Sequence, residues 1–169
     1  MWVTAYSDAS FSPAQGGAWA VWLTSAEGRV VRRGVCPTYV RDANAAELAA
    51  IFAAVYIACR TWPGRVRGLV VRSDSQSALQ HALPDSRVSR NAALRRLQDR
   101  LRALQREHGV VLETQWVRGH QDRRKGSAAY LNSACDKLAQ TTRKSNPVRQ
   151  GKKHRTRGDG AHDKARSHR

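Results

Sequence analysis

The chain has 169 residues, enough for one domain with a substantial hydrophobic core and a short tail. Its 30 Lys and Arg against 13 Asp and Glu give a formal charge of +17, which favours a polyanionic partner, above all nucleic acid, over a small neutral ligand. An anionic membrane is the weaker alternative. No apolar run reaches the roughly 18 residues that a spanning helix needs. The N-terminus also lacks the order of a signal peptide, so we expect a cytoplasmic protein.

The cysteines predict neither a disulfide framework nor a zinc site. Cys36, Cys59 and Cys135 are odd in number and form no CxxC pair. We therefore expect reduced thiols in or near the core.

The first three predicted elements are strands. The first begins at Trp2 or Val3 and carries Asp8 to its end, where an unpaired buried acid would cost several kcal/mol unless it bound a metal. An Asp8 that merely caps the turn Ser-Asp-Ala-Ser explains this stretch equally well. Two further strands, at residues 16–24 and 29–36, follow short loops and predict an antiparallel meander.

A helix is predicted next, at residues 43–60. Its apolar face is formed by residues with helical spacing: Leu48, Ile51, Phe52, Val55 and Cys59. Glu47 lies beside this face in the first turn, where a solvent-exposed acid favoured by the helix dipole is an ordinary alternative. The following strand, at residues 68–74, is almost continuously apolar and ends in another acid, Asp74.

The second half of the domain alternates helices and a strand. A short helix at residues 75–83 precedes a longer one that begins near Arg90. The arginines of the longer helix give it a basic surface, and the alternative is a helix face that is merely solvated. The fifth strand covers residues 110–117, and a polar loop bounded by glycines follows it. A last helix at residues 132–142 places Asn132 and Asp136 on one face.

The composition changes after this helix. Ten of the residues from Arg143 to Arg169 are Lys or Arg, and almost none is large and apolar. We therefore predict a catalytic domain at residues 1–143 and a disordered basic tail at residues 144–169.

The predicted order is β-β-β-α-β-α-α-β-α, and four separate elements each offer one carboxylate. If these acids converge, each pair repels by about 4 kcal/mol at 4 Å and an effective dielectric near 20, so cations must compensate. Oxygen-only ligands favour Mg²⁺ or Mn²⁺ over zinc. Two such ions, about 3.5–4 Å apart, can direct the attack of water on a phosphodiester.

Five short strings, in the right order and on the expected elements, resemble type 1 ribonuclease H over roughly residues 3–142. They are Tyr6-Ser-Asp8, Asn44-Ala-Ala-Glu47-Leu48, Ser73-Asp74-Ser75-Gln76, Trp116-Val-Arg-Gly-His120 and Asn132-Ser-Ala-Cys-Asp136-Lys-Leu-Ala139. The resemblance implies an α/β, ribonuclease H-like fold. Its five-stranded mixed sheet has three antiparallel strands first, a fourth and fifth parallel to the first, and flanking helices.

The resemblance also implies roles for individual residues. Asp8 corresponds to the carboxylate that bridges two Mg²⁺ ions, Asp136 to a ligand of the ion that holds the water, and Glu47 and Asp74 to ligands of the other ion. His120 corresponds to the family histidine that assists proton transfer or product release. The residues expected to bind substrate are Gln15, Asn44, Ser75, Gln76 and Asn132.

The implied function is endonucleolytic hydrolysis of the RNA strand of RNA–DNA hybrids, which leaves 5′-phosphate and 3′-hydroxyl ends. We expect a monomer without an obligate protein partner. The alternatives are a relative that binds nucleic acid without cleaving it, and another ribonuclease H-like nuclease that acts on DNA.

The sequence departs from the family pattern in three places. Ala9 replaces a glycine, and Asp42 stands where many members bind a DNA phosphate with Thr or Ser. A basic handle is absent at residues 85–89.

Overall fold

The computed structural model describes residues 1–119 and 127–146, which form one mixed sheet flanked by helices. The elements in chain order are β1 (Trp2–Ser12), β2 (Gly16–Ser25), β3 (Gly28–Val35), α1 (Ala43–Thr61), β4 (Gly68–Ser73), α2 (Gln76–Ala82), α3 (Ala92–His108), β5 (Val111–Trp116) and α4 (Ser127–Lys144). The strand order is β3-β2-β1-β4-β5. β1, β2 and β3 are antiparallel, whereas β4 is parallel to β1 and β5 to β4, so the predicted fold class is confirmed.

Alternation along the strands divides the core between the two faces of the sheet. Val3 and Ala5 of β1 belong to the main core with α1 and α3, whereas Tyr6 packs with Cys135 and Ala139 of α4. Successive side chains of a strand point to opposite faces, so α4 covers the face of the sheet opposite to α1. Because α4 contacts β1, β2 and β3, it lies beside the central strand that carries Asp8.

Helix α1 is the central helix of the core. It packs against β1, β2, α2 and α3, and eleven of its residues are buried. Seven of those eleven are alanine, a small side chain that lets the neighbouring elements approach closely. Among the described residues, α1 is also long and apolar enough to cross a membrane by length and composition, a test that the core helix of a soluble protein also passes. The expectation that no segment reaches this length was therefore wrong.

Three predicted boundaries were wrong in ways that affect the site. β1 continues to Ser12, so Asp8 lies within the strand rather than at its end, because nine residue pairs join β1 to β2 through the whole segment. Glu47 is the fifth residue of α1 and follows its first turn, in which no acid lies. α4 begins at Ser127, five residues before the predicted start, so Asn132 and Asp136 lie well inside a helix.

The helix ends follow from capping side chains. The Asp42 carboxylate accepts a hydrogen bond from Ala45 N at 2.8 Å and caps α1, while Ser75 caps α2 in the same way. Asn91 caps α3, which ends at Gly109 in the left-handed conformation, φ 61°. Glu47 lies near the start of α1 and Asp74 near the start of α2. The caps of these two helices therefore help to position both acids.

Candidate active site

Four carboxylates from four different elements line one cleft. The cleft has a volume of about 190 Å³ and is lined by Asp8, Ala9, Glu47, Asp74, Asn132, Ser133 and Asp136. The structure therefore brings together the four acids that the sequence singled out.

The pairing of strands explains why two of these acids meet. β1 and β4 are parallel neighbours, with Tyr6 opposite Arg72. Asp8 follows Tyr6 by two residues in β1, and Asp74 follows Arg72 by two residues, directly after the end of β4, so the register brings the two acids near each other. Asp8 points to the same face as Tyr6, which is the face that α4 and Asp136 cover.

The cleft holds more negative charge than it can stabilise by itself. Burial, followed by the charges of Asp74 and Asp136, raises the pKa of Asp8 to about 8. Burial, followed by the charges of Asp8 and Asp74, raises the pKa of Glu47 to about 9. Without a cation, both acids are therefore largely protonated at neutral pH.

Hydrogen bonds compensate only part of this charge. Asp8 Oδ1 accepts from Ala9 N at 2.7 Å, and Asp136 Oδ1 accepts from Gln140 Nε2 at 2.7 Å. Two buried oxygens, Glu47 Oε2 and Asn132 Oδ1, accept no hydrogen bond from the described residues. Such buried acceptors are expensive unless a ligand supplies a partner.

The donor chemistry of the cleft suits a hard divalent cation. All the candidate ligand atoms are carboxylate or amide oxygens, which Mg²⁺ and Mn²⁺ prefer. Within residues 1–119 and 127–146, no three His, Cys, Asp or Glu side chains form a group that could hold a metal ion.

The predicted substrate-binding residues occupy different environments. Asn132 is buried in the wall of the cleft, with 4% of its surface exposed. Asn44 and Gln76 are exposed in the first turns of α1 and α2 and do not line the cleft. Ser75 caps α2 through its hydroxyl, so its main role in the described structure is local.

Gln15 lies away from the acids, in the turn between β1 and β2. Its Oε1 accepts a hydrogen bond from Arg143 Nη1 at 2.5 Å. It lines a separate shallow pocket with Thr38 and Asn146.

Asp42 is also fully engaged. Besides capping α1, it accepts a hydrogen bond from Asn91 Nδ2 at 3.1 Å through its second oxygen. A carboxylate has no hydrogen to donate, so the Asp42 side chain offers no hydrogen-bond donor to a phosphate.

The predicted catalytic histidine, His120, lies outside the described residues. The chain that leads to it passes against Asp74, since a Cβ at Gly119 would collide with Asp74 Oδ2. Trp116 Nε1 also donates to the Asp74 carbonyl at 3.1 Å. The end of β5 therefore packs directly on one of the site acids.

Sequence reasoning missed two residues that the structure places at or near the site. Ser133 lines the cleft, and its spacing of three residues from Asp136 could have shown that both share a face of α4. Arg143 follows Asp136 by two helical turns and reaches Ser10 and Gln15. The helical spacing placed it on that face, but nothing in the sequence indicated its partners.

Comparisons with known proteins agree on one family. The family model described as RNase H matches residues 2–144, whereas no curated protein sequence matches the chain. RNase H1 from the halophilic archaeon Halobacterium salinarum NRC-1 is a similar solved structure, with 22% identity, coverage of 84% of this chain and 97% of that one, and a TM-score of 0.60.

Two further solved structures share the fold at lower identity. The N-terminal RNase H domain of rv2228c from Mycobacterium tuberculosis, solved as a fusion with maltose binding protein, is 15% identical, with coverage of 86% and 95% and a TM-score of 0.62. LC11-RNase H1, solved in complex with an RNA/DNA hybrid, is 16% identical, with coverage of 84% and 96% and a TM-score of 0.61. With the family match over residues 2–144, these likenesses show that the chain belongs to the ribonuclease H family, as its resemblance to the type 1 enzymes predicted.

Proposed function

We propose that this protein hydrolyses the RNA strand of RNA–DNA hybrids and leaves 5′-phosphate and 3′-hydroxyl ends, with two Mg²⁺ or Mn²⁺ ions as cofactors. The observation that carries the proposal is the convergence of Asp8, Glu47, Asp74 and Asp136 on one cleft. Membership of the ribonuclease H family supports a nuclease that acts on such hybrids.

The state of the acids explains why the cleft needs cations. The pKa values of Asp8 and Glu47, about 8 and about 9, indicate that their ionised forms are unfavourable in the cleft alone. A protein that used the cleft only to bind nucleic acid would gain nothing from four acids, since they repel phosphate. Divalent ions bound there would neutralise this charge, lower the pKa of an attacking water and stabilise the leaving oxygen.

The chain's own residues hold and orient the reacting groups. Asp8 lines the cleft and interacts electrostatically with Glu47, Asp74 and Asp136, so it would hold a cation together with these acids. Asp136 is oriented by Gln140, which donates to one of its oxygens and leaves the other for a ligand. Asn132 supplies a neutral oxygen from the same face of α4 without adding charge.

The exposed amides account for the choice of strand. Asn44 and Gln76, at the starts of α1 and α2, each carry a donor and an acceptor. A 2′-hydroxyl in the wide minor groove of an A-like helix is both an acceptor and a donor, and DNA lacks it. Contacts of this kind would place the RNA strand, rather than the DNA strand, over the acids.

The test is cleavage of matched, end-labelled substrates by the full-length protein, with Mg²⁺ or with a chelator. We expect cleavage of the RNA strand of the hybrid, with Mg²⁺ only, and none of duplex RNA, duplex DNA or single strands. Phosphatase and ligase treatment of the products identifies the predicted ends. Binding of the hybrid without cleavage would favour the non-catalytic alternative, and cleavage of duplex DNA would favour the other nuclease class.

A further inference from the structure

Arg143, in the last turn of α4, fixes the side chain of Gln15. Arg143 Nε donates to Ser10 Oγ at 2.9 Å, and Nη1 donates to Gln15 Oε1 at 2.5 Å. The backbone of Gln15 is held as well, because its N–H donates to Ser12 O at 3.2 Å within the β1–β2 turn. Both the turn and the amide at its tip are therefore held in one arrangement.

The same two elements carry the site and this contact. Asp136 and Arg143 are seven residues apart on α4, so they share a face and lie about 10 Å apart along the axis. Asp8 and Ser10 are two residues apart on β1, so they also share a face of the sheet. The Arg143–Gln15 pair therefore continues the surface that contains the acids.

The chemistry of arginine decides which end of the Gln15 amide faces outward. A guanidinium only donates hydrogen bonds, so it must face the amide oxygen and not the amide nitrogen. The described residues offer no acceptor to Gln15 Nε2. The Gln15 amide nitrogen therefore points away from Arg143, although a free glutamine could turn its amide either way.

We propose that Arg143 is a positioning residue that directs the amide nitrogen of Gln15 towards hydrogen-bond acceptors in the minor groove of the substrate. This inference rests on the proposed function. The acceptors in that groove are purine N3 and pyrimidine O2 on the bases and the 2′-hydroxyl oxygen on the RNA sugars. The side chain would recognise the nucleic acid outside the cleft and set the register in which it enters the cleft.

Affinity for the hybrid tests this proposal without any cleavage step, because a chelator can be present throughout. The variants are Arg143→Met, which frees the amide, and Gln15→Glu, which keeps a partner for Arg143 but has no donor. Arg60→Met is the matched control, since it removes one exposed arginine from the last turn of α1, the end of that helix remote from Glu47. Thermal unfolding of each variant shows that it is folded.

Modified hybrids identify the acceptor. In one series a 3-deazapurine replaces a single purine, which removes N3, and in the other a single ribonucleotide lacks its 2′-hydroxyl. We expect one position at which the modification weakens binding to the wild-type protein and to Arg60→Met by roughly 2- to 10-fold, the size of one hydrogen bond. The series in which this position occurs shows whether the acceptor belongs to a base or to a sugar.

The same modification should have no effect on Arg143→Met or Gln15→Glu. If all four proteins respond equally at every position, Gln15 does not read an acceptor and the proposal is wrong. If Arg143→Met only flattens the salt dependence of binding, by about 0.7–0.9 in slope, Arg143 contacts a phosphate and does not act through Gln15. A wild-type protein that cleaves no hybrid would contradict the proposed function and leave these affinities interpretable.

Discussion

Asp8 shows most clearly how a single residue determines the properties of the site. It is almost completely buried, and the nearest charges are other acids. Of the hydrogen bonds among the described residues, it accepts one from the backbone at Ala9. Its ionised form is therefore unfavourable at neutral pH without a cation, which makes it the most informative position to change.

We expect Asp8→Asn to lower cleavage by at least about 100-fold, because an amide keeps the shape of the side chain but removes the charge that holds cations. Affinity for the hybrid should change little, since the loss of one acid also reduces repulsion of the phosphates. Single-turnover cleavage and affinity, measured on the same preparation, separate the two effects. The control is Asp99→Asn, which changes an exposed acid of α3. Near-normal turnover by Asp8→Asn at saturating Mg²⁺ would rule out the metal-site assignment.

The pKa values predict how stability depends on pH in the absence of metal. The ordinary values of Asp8 and Glu47 are 3.8 and 4.5, and in the folded protein they rise to about 8 and about 9. Between these limits the folded state binds more protons than the unfolded state, so the free energy of unfolding falls as pH rises from about 4 to about 9. The direction is opposite to that of an ordinary ion-paired acid.

In the presence of a chelator, we therefore expect the melting temperature to be higher near pH 6 than near pH 8.5. Mg²⁺ should reduce this difference, since it stabilises the ionised acids, and its binding should release protons. Thermal melts over the pH series, with and without Mg²⁺, check both expectations. The Asp8→Asn variant should show a weaker pH dependence, and an equal dependence in both proteins would contradict the prediction.

At the scale of elements, the site depends on where the helices begin. Asp42 caps α1 and also accepts from Asn91, the cap of α3, so one carboxylate joins the starts of two helices. α1 carries Glu47 one turn beyond this cap. An error in the start of α1 would rotate Glu47 out of the cleft, because each residue turns the helix by about 100°.

We predict that Asp42→Ala lowers the free energy of unfolding by about 1 kcal/mol, the typical effect of removing an N-cap. Asp42→Asn should cost less, since an amide oxygen can still accept from Ala45 N, although its amide nitrogen cannot accept from Asn91. Urea denaturation of both variants measures the difference. Equal losses for Ala and Asn would mean that the link to Asn91, and not the cap, is what stabilises the start of α1.

At the scale of the whole molecule, the positive charge is distributed unevenly along the chain. Eight of the Lys and Arg residues follow Asn146 and lie outside the described residues. The predicted basic tail, which stays a prediction, would supply phosphate contacts without sequence preference. Because residues 85–89 carry no basic handle, we expect the arginines of α3 to contribute to these contacts.

A truncation that tests the tail must keep Arg143, because removing it would also release Gln15. We therefore expect a chain that ends at Asn146 to bind the hybrid more weakly, while cleavage of bound hybrid stays nearly unchanged. For every phosphate that the tail no longer neutralises, the plot of log K against log salt should flatten by about 0.7–0.9 in slope. Equal affinities and slopes for the full-length and truncated proteins would show that the tail does not hold the substrate.

The sequence by itself determined the types and order of the elements and the four acids. These features are local: alternation of apolar residues predicts strands, spacings of three and four predict helices, and each motif occupies a few neighbouring residues. Short loops predicted that the first three strands are antiparallel, and the resemblance to type 1 ribonuclease H then supplied the parallel directions of the fourth and fifth. The boundaries of the elements were predicted less accurately. β1 extends past Asp8 because it pairs with β2, and the local sequence of β1 does not show where its partner strand lies.

Only the tertiary structure decided how strongly the acids affect one another and which polar groups are already paired. The pKa values of Asp8 and Glu47 arise from burial and from charges on other elements. Arg143 and Gln15 are 128 residues apart, and Asp42 and Asn91 are 49 apart. Contacts at such separations depend on how the sheet orders its strands and on where each helix packs, so the physical information that specifies them is distributed over the whole core.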